Sequence, residues 1–316
     1  MNGHSVLITG ASGMLGLHVV ERFLSRGWNV VSLVNPGSLS RRPWAREVLR
    51  ETEVVEASIT DRDRLRNVLD GLDFDVVVHI VAVLGRGRRE MSVNYGGTVN
   101  LLGSLRDVGV FVFVSAILAL GDSLRFDASE EAGCRPRTWY EMSKCESEKV
   151  VMARSRMRGW HWVIVRPVWM YGRYTRNPDI PRLLRLAKHG VGLVLGRRNL
   201  PLGLVSAEDV ADAILFLYES GGEGVYNVRG PRMYSAEELA KALLRAARGS
   251  DSGKMIRVPE WILSLGSRFV GALRYVELAP RDVPIDKLSR LGWRPRVDLW
   301  EGLPVVAGWM RDNGML

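Results

Sequence analysis

Tyr140-Glu141-Met142-Ser143-Lys144 sets a phenol and an ammonium four residues apart, on one face if the segment is helical. A free tyrosine has a pKa of about 10 and relays protons poorly at neutral pH. A positive charge beside it favours the phenolate and lowers that value. A tyrosine tuned in this way can exchange a proton with a substrate hydroxyl while hydride moves to or from a nicotinamide. The same spacing arises on many helices with no chemistry attached. The pair acquires meaning only beside a cofactor site.

Such a site opens the chain. The apolar strand Ser5-Val6-Leu7-Ile8-Thr9 runs into Gly10-Ala11-Ser12-Gly13-Met14-Leu15-Gly16, followed by an amphipathic run at 17–26. Gly10 permits a tight turn, Gly13 lets the backbone approach a ligand, and Gly16 lets the helix pack close on the strand. The helix N-terminus then faces the negative charge of a diphosphate. A second strand at 29–34 ends about twenty residues past these glycines, where NAD sites carry a carboxylate for the adenosine ribose. Here the sequence is Val34-Asn35-Pro36-Gly37-Ser38, with no Asp or Glu between Glu21 and Glu47, and Arg41 and Arg42 follow. Guanidinium groups without a carboxylate suit a 2′-phosphate, which favours NADP over NAD. Two arginines on a loop with no ligand are the other reading.

These groups must be held by a sheet. Further strands are expected at 54–56, 75–81, 110–115 and 160–166, the last stopped by Pro167. Helices fall between them: one N-capped by Thr60, one over 92–107 and one over 139–155. Strand and helix alternating from 5 to 166 mean an α/β fold, a doubly wound parallel sheet. Later come a helix capped by Ser206, a strand at 225–228, and a capping box at Ser235-Ala236-Glu237-Glu238 that opens a helix to about Arg248. An amphipathic helix is expected at 259–276, with Ile262, Leu265, Phe269 and Leu273 on one side. It reads better as a lid over a pocket than as a membrane-surface helix. The division that results is a dinucleotide-binding domain at 1–168 plus about 203–228, and a smaller substrate lobe at about 169–202 and 229–316.

Composition excludes several classes. The 316 residues are 47% hydrophobic and 25% charged, ordinary for a soluble globular chain. The longest apolar runs, 76–84 and 111–120, are too short for a membrane helix, so no stable membrane insertion is expected. Cys134 and Cys145 imply neither a disulfide framework nor a metal site. The net charge of +9 comes from scattered arginines, which suits a surface favouring anionic small molecules rather than nucleic acid. No signal segment precedes the first strand, and the expected location is cytoplasmic.

Together these residues resemble the extended short-chain dehydrogenase/reductases, of the NAD-dependent epimerase/dehydratase type. The resemblance rests first on Thr9-Gly10-x-x-Gly13-x-x-Gly16 and on Tyr140-x-x-x-Lys144 about 130 residues later. It continues through the segment from Asp75 to Ala82, through Asn94-Tyr95-Gly96-Gly97-Thr98, and through Arg166-Pro167-x-x-x-Tyr171-Gly172. Val205-x-x-x-Asp209-Val210-Ala211 and Leu291-Gly292-Trp293-x-Pro295 extend it over nearly the whole chain. It implies a Rossmann domain and NAD or NADP as cofactor. Gly10, Gly13, Met14, Leu15 and Gly16 would meet the pyrophosphate, and Ser58 and Ile59 the adenine. Val81 and Ala82 would line the nicotinamide side, with Ser12, Asn35, Arg41 and Pro167 completing the cofactor set. Tyr140 would be the acid/base, and Lys144 would also hold the nicotinamide ribose. Asn94 stands at the family's active-site asparagine, with a helix cap as its alternative role. Many relatives pair through helices of this sheet, so a homodimer is expected.

Two departures narrow the function. The family ends its fifth strand with two small hydroxyl residues, the second orienting the substrate oxygen; here that second position is Ala116. Ser115, the other, points to the opposite face unless the backbone bends. By analogy with oxyanion-hole donors, such a loss costs about 3–4 kcal/mol. Ser115 or another hydroxyl substitutes, or the substrate supplies the group, or the protein binds cofactor without efficient turnover. Ala116-Ile117-Leu118 also lacks the acidic residue that sugar dehydratases of the family carry, which disfavours elimination of water. The second departure is Trp169, where sugar-nucleotide enzymes have asparagine; an indole suits a flat or aliphatic substrate. Arg86, Arg88 and Arg89 lie just beyond the fourth strand, either gripping an anionic group or forming a solvated loop. The expected activity interconverts a secondary alcohol and a ketone on a largely apolar small molecule, as in dihydroflavonol reductase-like or 3-beta-hydroxysteroid dehydrogenase-like members. A nucleotide-sugar epimerase, or a dinucleotide-binding protein of weak or no catalysis, are the alternatives.

Overall fold

Aliphatic runs such as Val76-Val77-Val78 bury both faces of a strand only inside a sheet covered on two sides. A computed structural model of the protein describes residues 4–316 apart from 86, 176–177, 267–270 and 279. In chain order its first half contains β1 (Ser5–Thr9), α1 (Met14–Leu24), β2 (Asn29–Val34), α2 (Pro43–Val48), β3 (Glu53–Glu56), α3 (Arg62–Leu69) and β4 (Phe74–His79). A π-helical turn (Met91–Gly96) leads into α4 (Gly97–Ser104), β5 (Val108–Val114), α5 (Trp139–Arg158) and β6 (His161–Pro167). The second half holds β7 (Trp169–Tyr171), α6 (Asp179–Lys188), β8 (Val191–Leu195), β9 (Pro201–Ser206), α7 (Ala207–Glu219) and β10 (Gly224–Val228). It closes with β11 (Met233–Ser235), α8 (Ala236–Arg248), β12 (Lys254–Val258), α9 (Glu260–Gly266), α10 (Gly271–Leu278), α11 (Asp286–Arg290) and α12 (Leu299–Asp312).

The seven-stranded sheet has the order β10-β6-β5-β4-β1-β2-β3, and every pairing in it is parallel. This is the doubly wound α/β architecture expected from the strand–helix alternation. β1 lies between β2 and β4, so the direction of winding reverses there and a crevice opens at the carboxyl ends of both strands. Alternation along β1 divides the core. Val6 and Ile8 join one cluster with α1, α7 and the C-terminal half, and Leu7 joins the other with α3 and α4 residues. The remaining strands form a small sheet β11-β9-β7 and a pair β12-β8 beside the main one.

Three local expectations change. Asp61, not Thr60, caps α3, accepting from the backbone N–H of Arg64 at 3.0 Å. The helix expected over 92–107 begins as the π-helical turn and ends at Ser104. The helix expected at 259–276 is described as α9 from Glu260 and as α10 to Leu278, beyond its expected end; residues 267–270, Phe269 among them, lie outside the described residues, as does Arg86. Among the described residues no helix is long and apolar enough to cross a membrane, and no group of His, Cys, Asp and Glu could hold a metal ion. Cys134 and Cys145 are both free thiols.

Candidate functional site

The crevice is floored by the glycine turn. Gly10 has φ +70°, and a Cβ there would sit 3.2 Å from Val81. At Gly16 a Cβ would overlap the Gly10 carbonyl oxygen and approach the Ala11 Cα to 2.8 Å, so α1 lies flat on the turn only with glycine. The N-cap, Gly13, offers no side chain, and the first turn of α1 carries no acid. The N–H groups at its start lack partners inside the helix, as an anion site requires. Met14 and Gly13 are half-buried while Leu15 and Ser12 are buried. The floor fits a dinucleotide diphosphate. Toward the adenosine end, Ile59 is buried and its carbonyl accepts from Asn100 Nδ2 at 3.2 Å, while the half-buried Ser58 hydroxyl lies 2.9 Å from that of Thr60.

Of the two arginines beyond β2, Arg42 reaches the turn. It donates to the Ser12 carbonyl at 2.7 Å and to the Ser12 hydroxyl at 2.9 Å, and Ser12 donates to Ser38 at 3.2 Å. Arg41 and Asn35 are exposed, the Asn35 amide donating to the Pro36 carbonyl at 3.3 Å. The following helix is anchored by Trp44, whose ring meets Trp309 of α12 edge-on at 5.4 Å. The C-terminal helix thereby fixes the loop that carries Arg42.

A buried chain of hydrogen bonds ties this floor to Tyr140. The Thr9 hydroxyl accepts from the Ile80 N–H at 3.2 Å and meets His79 Nδ1 at 2.7 Å. His79 Nε2 meets the Thr98 hydroxyl at 3.0 Å, and Thr98 donates to the Asn94 carbonyl at 2.6 Å. Those directions assign the imidazole proton to Nε2. Burial first, and the nearby charge of Lys144 second, push the His79 pKa down to about 3, so the ring is neutral. Asn94 Oδ1 accepts from the Val83 N–H at 2.8 Å, while Nδ2 donates to the Val83 carbonyl at 3.0 Å and to Ser143 at 2.9 Å. Ser143 in turn donates to the Tyr140 carbonyl at 2.8 Å. Asn94 is therefore no helix cap. It sits inside the π-helical turn and clamps the loop of Val81 and Ala82 to the start of α5.

Tyr140 and Lys144 stand about one turn apart on α5. Lys144 is 1% exposed, donates to the Val114 carbonyl at 2.8 Å and stands 4.8 Å from the Phe113 ring centroid. Burial lowers its pKa to about 7, against the opposing charge of Glu148. The Tyr140 phenol is not lowered in this arrangement. Partial burial pushes its pKa up, and the carboxylate of Glu90 adds to the rise. The expected depression by Lys144 is missing because that ammonium is turned to Val114 and is itself only partly charged.

The end of β5 faces two ways. Ser115 is buried and donates to Glu148 Oε1 at 2.5 Å. Glu148 also receives Arg166 Nε at 2.9 Å and Nη2 at 2.6 Å, a two-pronged ion pair under the sheet edge. Ala116 and Leu118 are the half-buried positions that alternate with it. Pro167 ends β6 fully buried, and Trp169 is 8% exposed. Arg88 lies over the Trp139 ring at 5.8 Å, and Arg89 is exposed. Apart from these residues, a cavity of about 470 Å³ is lined by Leu200, Leu263, Val276 and Leu278 together with Trp261 and the charged Arg125, Arg197, Glu260 and Glu277. The sequence carried no signal for Glu277 or for its partner Arg274, whereas Thr138-x-x-Glu141, a capping box at the head of α5, was legible.

Comparison with known proteins agrees with this geometry. The model of the NAD dependent epimerase/dehydratase family matches residues 6–228. A UDP-glucose 4-epimerase of Vibrio cholerae is 26% identical over 321 residues, spanning 96% of this chain and 94% of that protein. A 3 beta-hydroxysteroid dehydrogenase/Delta 5→4-isomerase of Mycobacterium tuberculosis is 26% identical over 209 residues, spanning 61% of this chain and 54% of that protein. The crystal structure of a UDP-glucose 4-epimerase with UDP-glucose from Thermotoga maritima superposes with a TM-score of 0.78 at 21% identity, covering 98% of this chain and 99% of that one.

Proposed function

The chain belongs to the NAD dependent epimerase/dehydratase family, NAD-dependent enzymes of the extended short-chain dehydrogenase/reductase type, and within it we propose an oxidoreductase that interconverts a secondary alcohol and a ketone on a largely apolar small molecule. The observation that carries this reading is the wall that follows β5: its half-buried positions are Ala116 and Leu118, not hydroxyls or acids. Such a wall favours an apolar substrate and offers no group for dehydration. Trp169, 8% exposed, extends the same character.

When bound, the dinucleotide supplies or accepts the hydride. The chain's own part is proton transfer and positioning. Tyr140 gives its phenolic proton to the oxygen of a ketone being reduced, and takes it back in the other direction. Lys144 would hold the ribose next to the nicotinamide. Asn94, bonded to Val83, would keep the loop of Val81 and Ala82 in place beside the ring. Ser115, committed to Glu148, leaves the substrate oxygen to Tyr140. For the cofactor we favour NADP(H), because Arg42 sits over Ser12 beside Ser38 and the end of β2 carries no carboxylate.

A nucleotide-sugar epimerase is the second reading, favoured by the match to the Vibrio cholerae enzyme over 96% of the chain. It predicts dinucleotide retained through purification and no net redox change. The test is a titration with NADPH and NADH followed by a screen of carbonyls and alcohols. Tyr140→Phe is expected to abolish turnover with dinucleotide affinity kept within about twofold, and Arg42→Ala to weaken NADPH about tenfold (about 1.4 kcal/mol) while sparing NADH. Full activity in Tyr140→Phe rejects the assignment.

A further inference from the structure

Resting on the reading of Tyr140 as the proton donor, we propose that Arg274 is a positioning residue through which the C-terminal half holds Tyr140 in place. Arg274 lies on α10 and is 8% exposed. Its guanidinium spends three nitrogens on three carboxylates: Nε on Glu141 at 2.7 Å, Nη2 on Asp122 at 2.9 Å and Nη1 on Glu277 at 3.1 Å. Glu141 is the residue after Tyr140 and is fully buried. Its other oxygen accepts the N–H groups of Arg137 at 2.7 Å and Thr138 at 3.2 Å, while Thr138 accepts the N–H of Glu141 at 3.2 Å. One carboxylate thus closes the capping box of α5 with one oxygen and ties the helix to α10 with the other.

The arrangement is balanced in charge. Arg137 donates to Asp122 at 2.6 Å and Arg125 to Glu277 at 3.4 Å, so three arginines face three acids. Without Arg274, Glu141 keeps a buried negative charge with no cation and no water to replace it, the costly half of a broken buried pair. The carboxylate then leaves the capping box or takes up a proton, and the first turn of α5, which carries Tyr140, loses its fixed position. Glu277 and Arg125 also line the 470 Å³ cavity, so whatever fills that cavity touches the same network. A helix start needs only its own cap to form. A buried arginine from more than a hundred residues away, spent on the cap itself, ties α10 to the residue next to Tyr140.

The experiment compares the full-length protein with Arg274→Met, Arg274→Lys and the double variant Arg274→Met/Glu141→Gln. It reads kcat and KM in the NADPH-dependent assay, dinucleotide affinity by fluorescence, and amide exchange at residues 139–143. Arg274→Met is expected to lower kcat by about tenfold or more with dinucleotide affinity within about twofold, and to speed exchange at 139–143 about tenfold. Glutamine fits the capping box and carries no charge, so the double variant is expected to regain most of the lost kcat. Arg274→Lys, keeping the charge but not the fork, falls between. A folded Arg274→Met with unchanged kcat and exchange overturns the proposal, and so does a double variant that regains nothing. If Arg274→Met does not fold, the double variant and Arg274→Lys carry the same comparison. A wild-type protein inert toward the whole screen removes the oxidoreductase reading instead, and the exchange measurement then decides the positioning alone.

Discussion

Asn94→Ala separates two roles that the family resemblance leaves merged. In the structure the Asn94 amide makes three hydrogen bonds, to Val83 N–H, to the Val83 carbonyl and to Ser143, at 2.8, 3.0 and 2.9 Å. Asn94 itself is 1% exposed. At about 1 kcal/mol for each bond, with Val83 left poorly satisfied, the substitution should cost about 3 kcal/mol. Unfolding entropy near about 2.1 cal/mol/K per residue gives about 0.7 kcal/mol/K for a chain of this length, hence a fall in Tm of about 5 °C. Calorimetry reads the fall, and steady-state kinetics should show a loss of kcat that accompanies the freed loop of Val81 and Ala82. Asn94→Asp sharpens the case, because its carboxylate would face the Val83 carbonyl with no proton to donate. That burial raises the folded-state pKa above the unfolded one, so stability is present at low pH and lost as pH rises through the folded value. Measured against the wild type at the same pH, Asn94→Asp should therefore lose more Tm at pH 8 than at pH 5. A Tm unchanged in Asn94→Ala, alongside a kcat lowered about a thousandfold, would refute the clamp and make Asn94 a group that acts on substrate.

Two further predictions follow from the floor of the crevice and its buried imidazoles. Gly16→Ala drives a methyl group into the Gly10 carbonyl, and should cost about 1–3 kcal/mol in stability and weaken both dinucleotides in a fluorescence titration; unaltered affinity would remove the diphosphate from this turn. His18 and His79 are held neutral down to about 3, mainly by burial, whereas unfolded histidine takes up a proton near 6.5. The unfolded state therefore binds more protons between those values, and stability falls as pH drops from about 6.5 toward 3, by up to about 1.4 kcal/mol per pH unit for each histidine. Urea midpoints from pH 7 to 4.5 read that slope, which His18→Gln should reduce; a slope indifferent to the change contradicts the buried neutral ring.

Local signals made much of the molecule legible. The glycine turn, the aliphatic strands and the capping box at Ser235 needed only near neighbours in the chain, and each stands where its spacing implied. The helix over 92–107 was only partly legible, because a π-helical turn has no composition of its own. It forms where Asn94 must reach Val83 and Ser143 together.

By itself the sequence determined the doubly wound sheet, the glycine turn between β1 and α1 and the spacing of Tyr140 and Lys144 on one helix, all of which depend on periodicity and short-range geometry. Tertiary structure alone decided which way each side chain is committed. It turned Ser115 onto Glu148, brought Arg42 rather than Arg41 to Ser12, left the Tyr140 phenol high rather than low, and set Arg274 against Glu141. Burial and charge pairing are properties of what surrounds a group in space, and residues distant in the chain supply most of those surroundings.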